Sequence, residues 1–145
     1  MTETPVEILI RSVQTLDGQS ETIDLTARGT LRELSPDGEG FLLTYQEGEP
    51  GGEQTETALT VEVDRITLRR TGEVGCEMVF RPGLRHPSQY RTPYGAFPVT
   101  VTTRTALALL GPDGGRIQLE YGLEMAGQDA GVTRFTLMAR PIEGE

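Results

Sequence analysis

The chain has no lysine, one cysteine and one histidine among its 145 residues, and no long apolar run. Each shortage excludes something. A single cysteine, Cys76, permits no internal disulfide, and one Cys with one His falls short of the four ligands of a zinc cluster. Carboxylate-only metal sites stay open, but the sequence implies neither a metal nor a cofactor. The longest apolar run, Ala106 to Leu110, is far below the ~18 residues that a helical membrane span needs. The first residues, MTETPVEILIRSV, lack a basic stretch followed by an apolar one, which argues against a secretory signal. Together with the lone cysteine this leads us to expect a cytoplasmic protein. All 13 basic residues are arginine. Arginine suits bidentate pairing with carboxylate or phosphate, yet a complete absence of lysine reads more simply as a compositional bias of the source.

What remains is an ordinary globular composition, 36% hydrophobic and 24% charged, with a net charge of −9. The length fits one domain spanning 1–145, large enough to bury its own core. Charge is unevenly spread. Residues 1–64 carry 14 acids and 3 arginines, whereas residues 65–104 carry 2 acids and 7 arginines. The second segment, with Tyr90 and Tyr94, could in principle form a basic, stacking face for nucleic acid. The strongly acidic whole disfavours that reading. An acidic protein partner, or the acidic half of a second copy, fits the same arginines better.

Apolar and polar residues alternate along almost the whole chain, the period of half-buried strands. Val6, Ile8 and Ile10 alternate in this way, as do Ile23, Leu25 and Ala27. The same holds for Phe41, Leu43 and Tyr45, for Leu59, Val61 and Val63, and for Ile66 and Leu68. Val74, Cys76, Met78 and Phe80 continue the pattern, followed by Phe97, Val99 and Val101. Ile117, Leu119, Tyr121 and Leu123, and then Phe135, Leu137 and Ala139, complete it. Turn signals separate these segments at Asp17-Gly18, Asp37-Gly38, Thr71-Gly72 and Gly111 to Gly115. No segment of ten residues has a helical period. The expectation is an all-β fold, a closed antiparallel up-and-down barrel of about 8–10 strands, or failing closure a two-sheet sandwich. Gln46 to Thr57, with four glutamates and three glycines, reads as a flexible acidic loop, either a plain connection or a lid.

Candidate site residues concentrate between Phe80 and Val101. That stretch holds His86, Tyr90, Tyr94, four prolines and the arginines Arg81, Arg85 and Arg91, with no acid. Thr92-Pro93-Tyr94-Gly95 reads as a tight turn. Near a barrel mouth, Tyr90, Arg91 and Tyr94 would clamp a ligand, arginine pairing an anion and tyrosine stacking. The same residues also suit a proline-stiffened corner whose tyrosines plug the barrel end. Arg70 follows Ile66 and Leu68 in phase and so points inward, unless the strand ends at Thr71-Gly72 and releases it to solvent. An inward arginine needs a carboxylate or a ligand anion; Glu124 and Tyr121 are candidate partners. Arg81, Arg85, His86 and Arg104 are secondary candidates. No catalytic residue is assigned, because His86 and Ser88 lack a spacing that aligns nucleophile and base, and no phosphate loop or nucleophile elbow is present. Enzyme is therefore the weaker class.

One ordered set of elements has a specific look. Arg70-Thr71-Gly72, Met78-Val79-Phe80, Pro82-Gly83, Tyr90-Arg91-Thr92-Pro93-Tyr94-Gly95, Thr103, Gly114-Gly115, Leu119-Glu120-Tyr121 and Gly127 together resemble the small bacterial YwiB-like proteins. That is a family of unknown function with a calycin-like (lipocalin-like) β-barrel. The resemblance implies a closed antiparallel barrel, in agreement with the alternation, and brings no activity, ligand or site residue. Calycins often enclose small ligands, which is a fold analogy only. Two functional readings follow. The first is non-catalytic binding of a small anionic or amphipathic molecule in or at the mouth of the barrel, through Arg70, Tyr90, Arg91, Tyr94 and Tyr121. The second is an interaction or assembly module, a homo-oligomer included, that uses the arginine-rich face.

Overall fold

A computed structural model of the chain describes residues 3–34, 40–48, 54–72 and 74–142. Every regular element among them is a strand: β1 (Glu3–Leu16), β2 (Gln19–Glu33), β3 (Phe41–Gly48), β4 (Gln54–Val61), β5 (Ile66–Gly72), β6 (Cys76–Phe80), β7 (Arg85–Thr92), β8 (Gly95–Gly111), β9 (Gly114–Met125) and β10 (Gln128–Pro141). They form one sheet in the order β6-β5-β4-β3-β2-β1-β10-β9-β8-β7. All neighbours are antiparallel. The two sheet edges, β6 and β7, come together where Gly75 and Arg91 exchange both backbone hydrogen bonds, at 2.9 and 2.7 Å. Thr103 of β8 also bonds the β6–β7 connection, at Gly83 and Leu84. The result is a nearly closed antiparallel barrel of ten strands.

Closure stops short between β6 and β7 for a local reason. Pro87 has no N–H to give a ladder, and the Ser88 hydroxyl, in place of a backbone amide, donates to the Glu77 carbonyl. The Asp17-Gly18 hairpin turns where expected, with positive φ at both residues, 53° and 78°, as a two-residue turn between twisted strands requires. Ala126-Gly127 does the same at 52° and 81°, although alanine gave no such signal. The Asp37-Gly38 turn lies outside the described residues.

Alternation decides which side chains enter the barrel, and register stacks them in rows. Phe41, Val61, Ile66 and Phe80 are direct partners across β3 to β6, and all are buried. Leu43, Leu59, Leu68 and Met78 form the next row. On the opposite wall, Ile10 meets Leu137 and Ile117, and Ser12 meets Phe135 and Leu119. In β8 a bulge between Thr103 and Thr105 shifts the register. Inward residues are odd-numbered before it (Val99, Val101, Thr103) and even-numbered after it (Ala106, Ala108, Leu110). A one-residue slip exchanges the two faces of a strand.

Two expectations need correction. Arg85–Thr92, read as a corner, is a full strand pairing with β8 from Arg85↔Thr102 to Thr92↔Gly95. Its inward residues, His86, Ser88 and Tyr90, are not aliphatic, so the hydrophobic alternation that marks other strands is missing. The acidic loop is also shorter than Gln46 to Thr57. Gln46, Glu47 and Gly48 continue β3 and pair with Glu56, Thr55 and Gln54 of β4, while residues 49–53 lie outside the described residues.

Candidate functional site

Beyond the apolar rows the interior changes character. The next row across the same four strands is Tyr45, Thr57, Arg70 and Cys76. Facing it, Gln14, Thr133 and Tyr121 are partners across β1, β10 and β9. Between these rows lies a cavity of about 480 Å³, open toward that end of the barrel. Its floor rests on the core through Tyr121, whose ring packs on Phe80 with centroids 4.8 Å apart. Ile23, Leu25, Leu123 and Met125 supply an apolar wall nearer the mouth.

The two charged side chains among the described residues that line this cavity, Arg70 and Glu47, lie with Nε and Oε2 3.7 Å apart. That is an ion pair without a hydrogen bond. Glu47 Oε2 accepts instead from the Thr57 hydroxyl at 2.7 Å. Arg70 Nε is buried and has no partner. Neither has Tyr45 Oη, on a side chain only 3% exposed. Burial pushes the Tyr45 hydroxyl pKa well up, and Glu47 adds to the rise; Thr57 lies close enough to oppose it, yet no hydrogen bond of ordinary geometry reaches Oη. Burial likewise raises Tyr121 and, with Arg70 opposing, the Cys76 thiol. For Arg70 itself burial works against the charge, but the Glu47 carboxylate and the neighbouring tyrosines outweigh it and the pKa goes up.

Of the five principal candidates from the sequence, Arg70, Tyr90 and Tyr121 meet in this cavity. Arg91 points outward and contributes its backbone to the β6–β7 bridge. Tyr94 occupies the β7–β8 turn, 93% exposed. There its N–H donates to Thr92 Oγ1 at 3.1 Å, so turn geometry accounts for the Thr92-Pro93-Tyr94-Gly95 element. Arg70 does point inward, but its carboxylate is Glu47. Glu124 stands outside the barrel, where it takes both terminal nitrogens of Arg85, at 2.9 and 3.1 Å.

The secondary candidates lie elsewhere. Arg104 pairs with Glu120, which also holds Arg134, and Arg81 is exposed. His86 is half-buried with Nδ1 unpartnered, and Ser88 donates to a backbone carbonyl, so the two form no nucleophile–base pair. Among the described residues no three His, Cys, Asp or Glu side chains converge on a metal position. The sequence reading missed Tyr45, Glu47, Thr57 and Thr133. The signal existed: Glu47 continues the phase of Phe41, Leu43 and Tyr45, and Thr57 that of Leu59 and Val61.

The model for a domain of unknown function, DUF1934, matches residues 8–137. The chain belongs to that family. An uncharacterized β-barrel protein of Bacillus subtilis (strain 168), YwiB, is 22% identical over 135 residues, which cover 93% of this chain and 92% of the relative. The crystal structure of the ywiB protein from Bacillus subtilis aligns with a TM-score of 0.84 at 22% identity, covering 97% of this chain and 93% of that one. At this identity the match shows the shared barrel, and the DUF1934 description assigns no activity to it.

Proposed function

We propose that the protein binds a small anionic or amphipathic molecule in the open-ended cavity and catalyses no reaction on it. The observation that carries this reading is a cavity large enough for a ligand whose lining residues include Arg70 and Tyr45, each with a buried donor, Nε and Oη, that has no hydrogen-bond partner. Buried polar groups normally find partners, and leaving one without costs about 1–3 kcal/mol. Apolar walls with a few convergent polar groups are the usual make-up of small-molecule sites, and about 480 Å³ lies within their usual size range. A cytoplasmic setting belongs to the same reading, supported by the single free, buried thiol of Cys76.

The assembly reading has less support. Arg65, Arg69, Arg85 and Arg104 already pair with Asp64, Glu77, Glu124 and Glu120 on the outer surface. These pairs, three across strands and Arg65–Asp64 between neighbours in the β4–β5 connection, occupy most of the arginines that an acidic partner or nucleic acid would need.

A thermal-shift screen of acylated and phosphorylated metabolites tests the binding reading. A true ligand at a hundredfold excess over Kd stabilises the protein by about 2.7 kcal/mol, a rise of several degrees in Tm. The rise should vanish in Arg70→Ala. Hits that survive Arg70→Ala unchanged, or a screen without hits, would count against this site.

A further inference from the structure

We infer that the head of the ligand is net-neutral and offers a hydrogen-bond acceptor and a donor side by side, as a primary carboxamide or a zwitterion does, and is not a bare anion. The inference rests on the binding reading above and specifies the chemistry of the same cavity. Arg70 and Glu47 are the only charged side chains among the described residues that line it, so the charge of this described lining sums to zero. Both keep open surface, 32% and 27% of their side chains. The other polar groups among the described lining residues are hydroxyls, a thiol and an amide, which carry no formal charge.

The donors without acceptors, Arg70 Nε and Tyr45 Oη, call for a carbonyl or carboxylate oxygen. Glu47 sits 3.7 Å from that same Nε. Any oxygen bound to Nε therefore lies within a few ångströms of a carboxylate. A ligand carboxylate there would meet a like charge in a site partly shielded from water, which is costly. A carboxamide satisfies both partners at once, its carbonyl accepting from Arg70 or Tyr45 and its N–H donating to Glu47. A zwitterion does the same with ammonium on Glu47 and carboxylate on Arg70. In either case the apolar body would lie along Ile23, Leu25, Leu123 and Met125 toward the mouth.

Isothermal titration of the full chain with octanamide, 2-aminooctanoate, octanoate and octylammonium tests this. These probes share an eight-carbon body and differ in the head. On the wild type, octanamide or 2-aminooctanoate should bind at least about tenfold more tightly than either ion. Which of the two leads separates an amide from a zwitterion. In Glu47→Gln, which removes the negative charge at nearly constant shape, octanoate should gain at least about tenfold and become the tightest. The wild-type ranking stands alone if that variant does not fold. Octanoate or octylammonium binding most tightly to the wild type would overturn the inference, as would an unchanged ranking in Glu47→Gln; both leave the binding reading intact. Failure of all four probes to bind would overturn the inference, while the thermal-shift screen decides the binding reading.

Discussion

The apolar row of Phe41 and the polar row of Tyr45 are built on the same strands, four residues apart along β3, and differ in nearly every property. Phe41, Val61, Ile66 and Phe80 bury their side chains against one another, and each contact removes apolar surface from water. Two pairs along, Tyr45, Thr57, Arg70 and Cys76 leave donors without acceptors and enclose empty space. The first arrangement is what stability asks for. The second loses stability locally, the kind of cost that functional sites commonly carry. The strands supply identical backbone order to both, so the contrast lies in side-chain chemistry alone.

Substitutions can break that contrast, and the largest effect should come from the packed rows. Phe80→Ala removes a ring that is fully buried and holds up Tyr121. It should cost about 3–5 kcal/mol in urea denaturation, a loss that Tyr45→Phe in the polar row should not approach. Gly29→Ala comes next. A Cβ there would stand 2.0 Å from the Thr44 carbonyl oxygen and 2.9 Å from Ile8 Cδ1. The β2–β3 ladder must shift to admit it, at about 1–3 kcal/mol.

The polar row should respond differently, and chiefly to pH. Burial raises the Tyr45 pKa in the folded state above its ordinary value of 10.0. The unfolded chain therefore releases that proton first, and stability falls as pH rises beyond about 10. Denaturation midpoints between pH 8 and 11 should show this decline, and Tyr45→Phe should lessen it. At neutral pH, without ligand, the same variant should raise stability by about 1–3 kcal/mol, because it removes a buried hydroxyl that has no partner.

The smallest effect belongs to the outer surface. The Arg11 guanidinium holds the Asp24 carboxyl below its ordinary pKa, so the pair's contribution is present above pH 3.8 and is lost as pH falls below it. Both groups are fully exposed and screened by water and salt. Asp24→Asn should leave the neutral-pH midpoint almost unchanged, and salt should erase what difference there is.

How much of the site was legible varied from residue to residue. Arg70 announced itself by breaking an apolar phase, and Tyr121 by keeping one. Glu47 was hidden because the acidic run around it looked like a loop, although its phase was right. Tyr90 was noticed for its company with Arg91 and Tyr94, yet only Tyr90 enters the cavity. On β7 every second residue faces in, which separates Tyr90 from Arg91, and Tyr94 belongs to the turn. Thr133 keeps the phase of Phe135 and Leu137, as Thr57 keeps that of Leu59, but a threonine in a strand is too commonplace to mark a site.

The sequence by itself determined most of the strands, the turn at Asp17-Gly18 and the side of the barrel to which most residues point. Alternation with period two is a local property, and each strand carries its own copy of it. Only the tertiary structure decided that Tyr45, Thr57, Arg70 and Cys76 share one row and that Gln14, Thr133 and Tyr121 face it. Rows run across strands, along the hydrogen bonds, and their membership depends on register between segments distant in the chain. A shift of two residues would keep every inward side chain inward and still dissolve the cavity's polar wall.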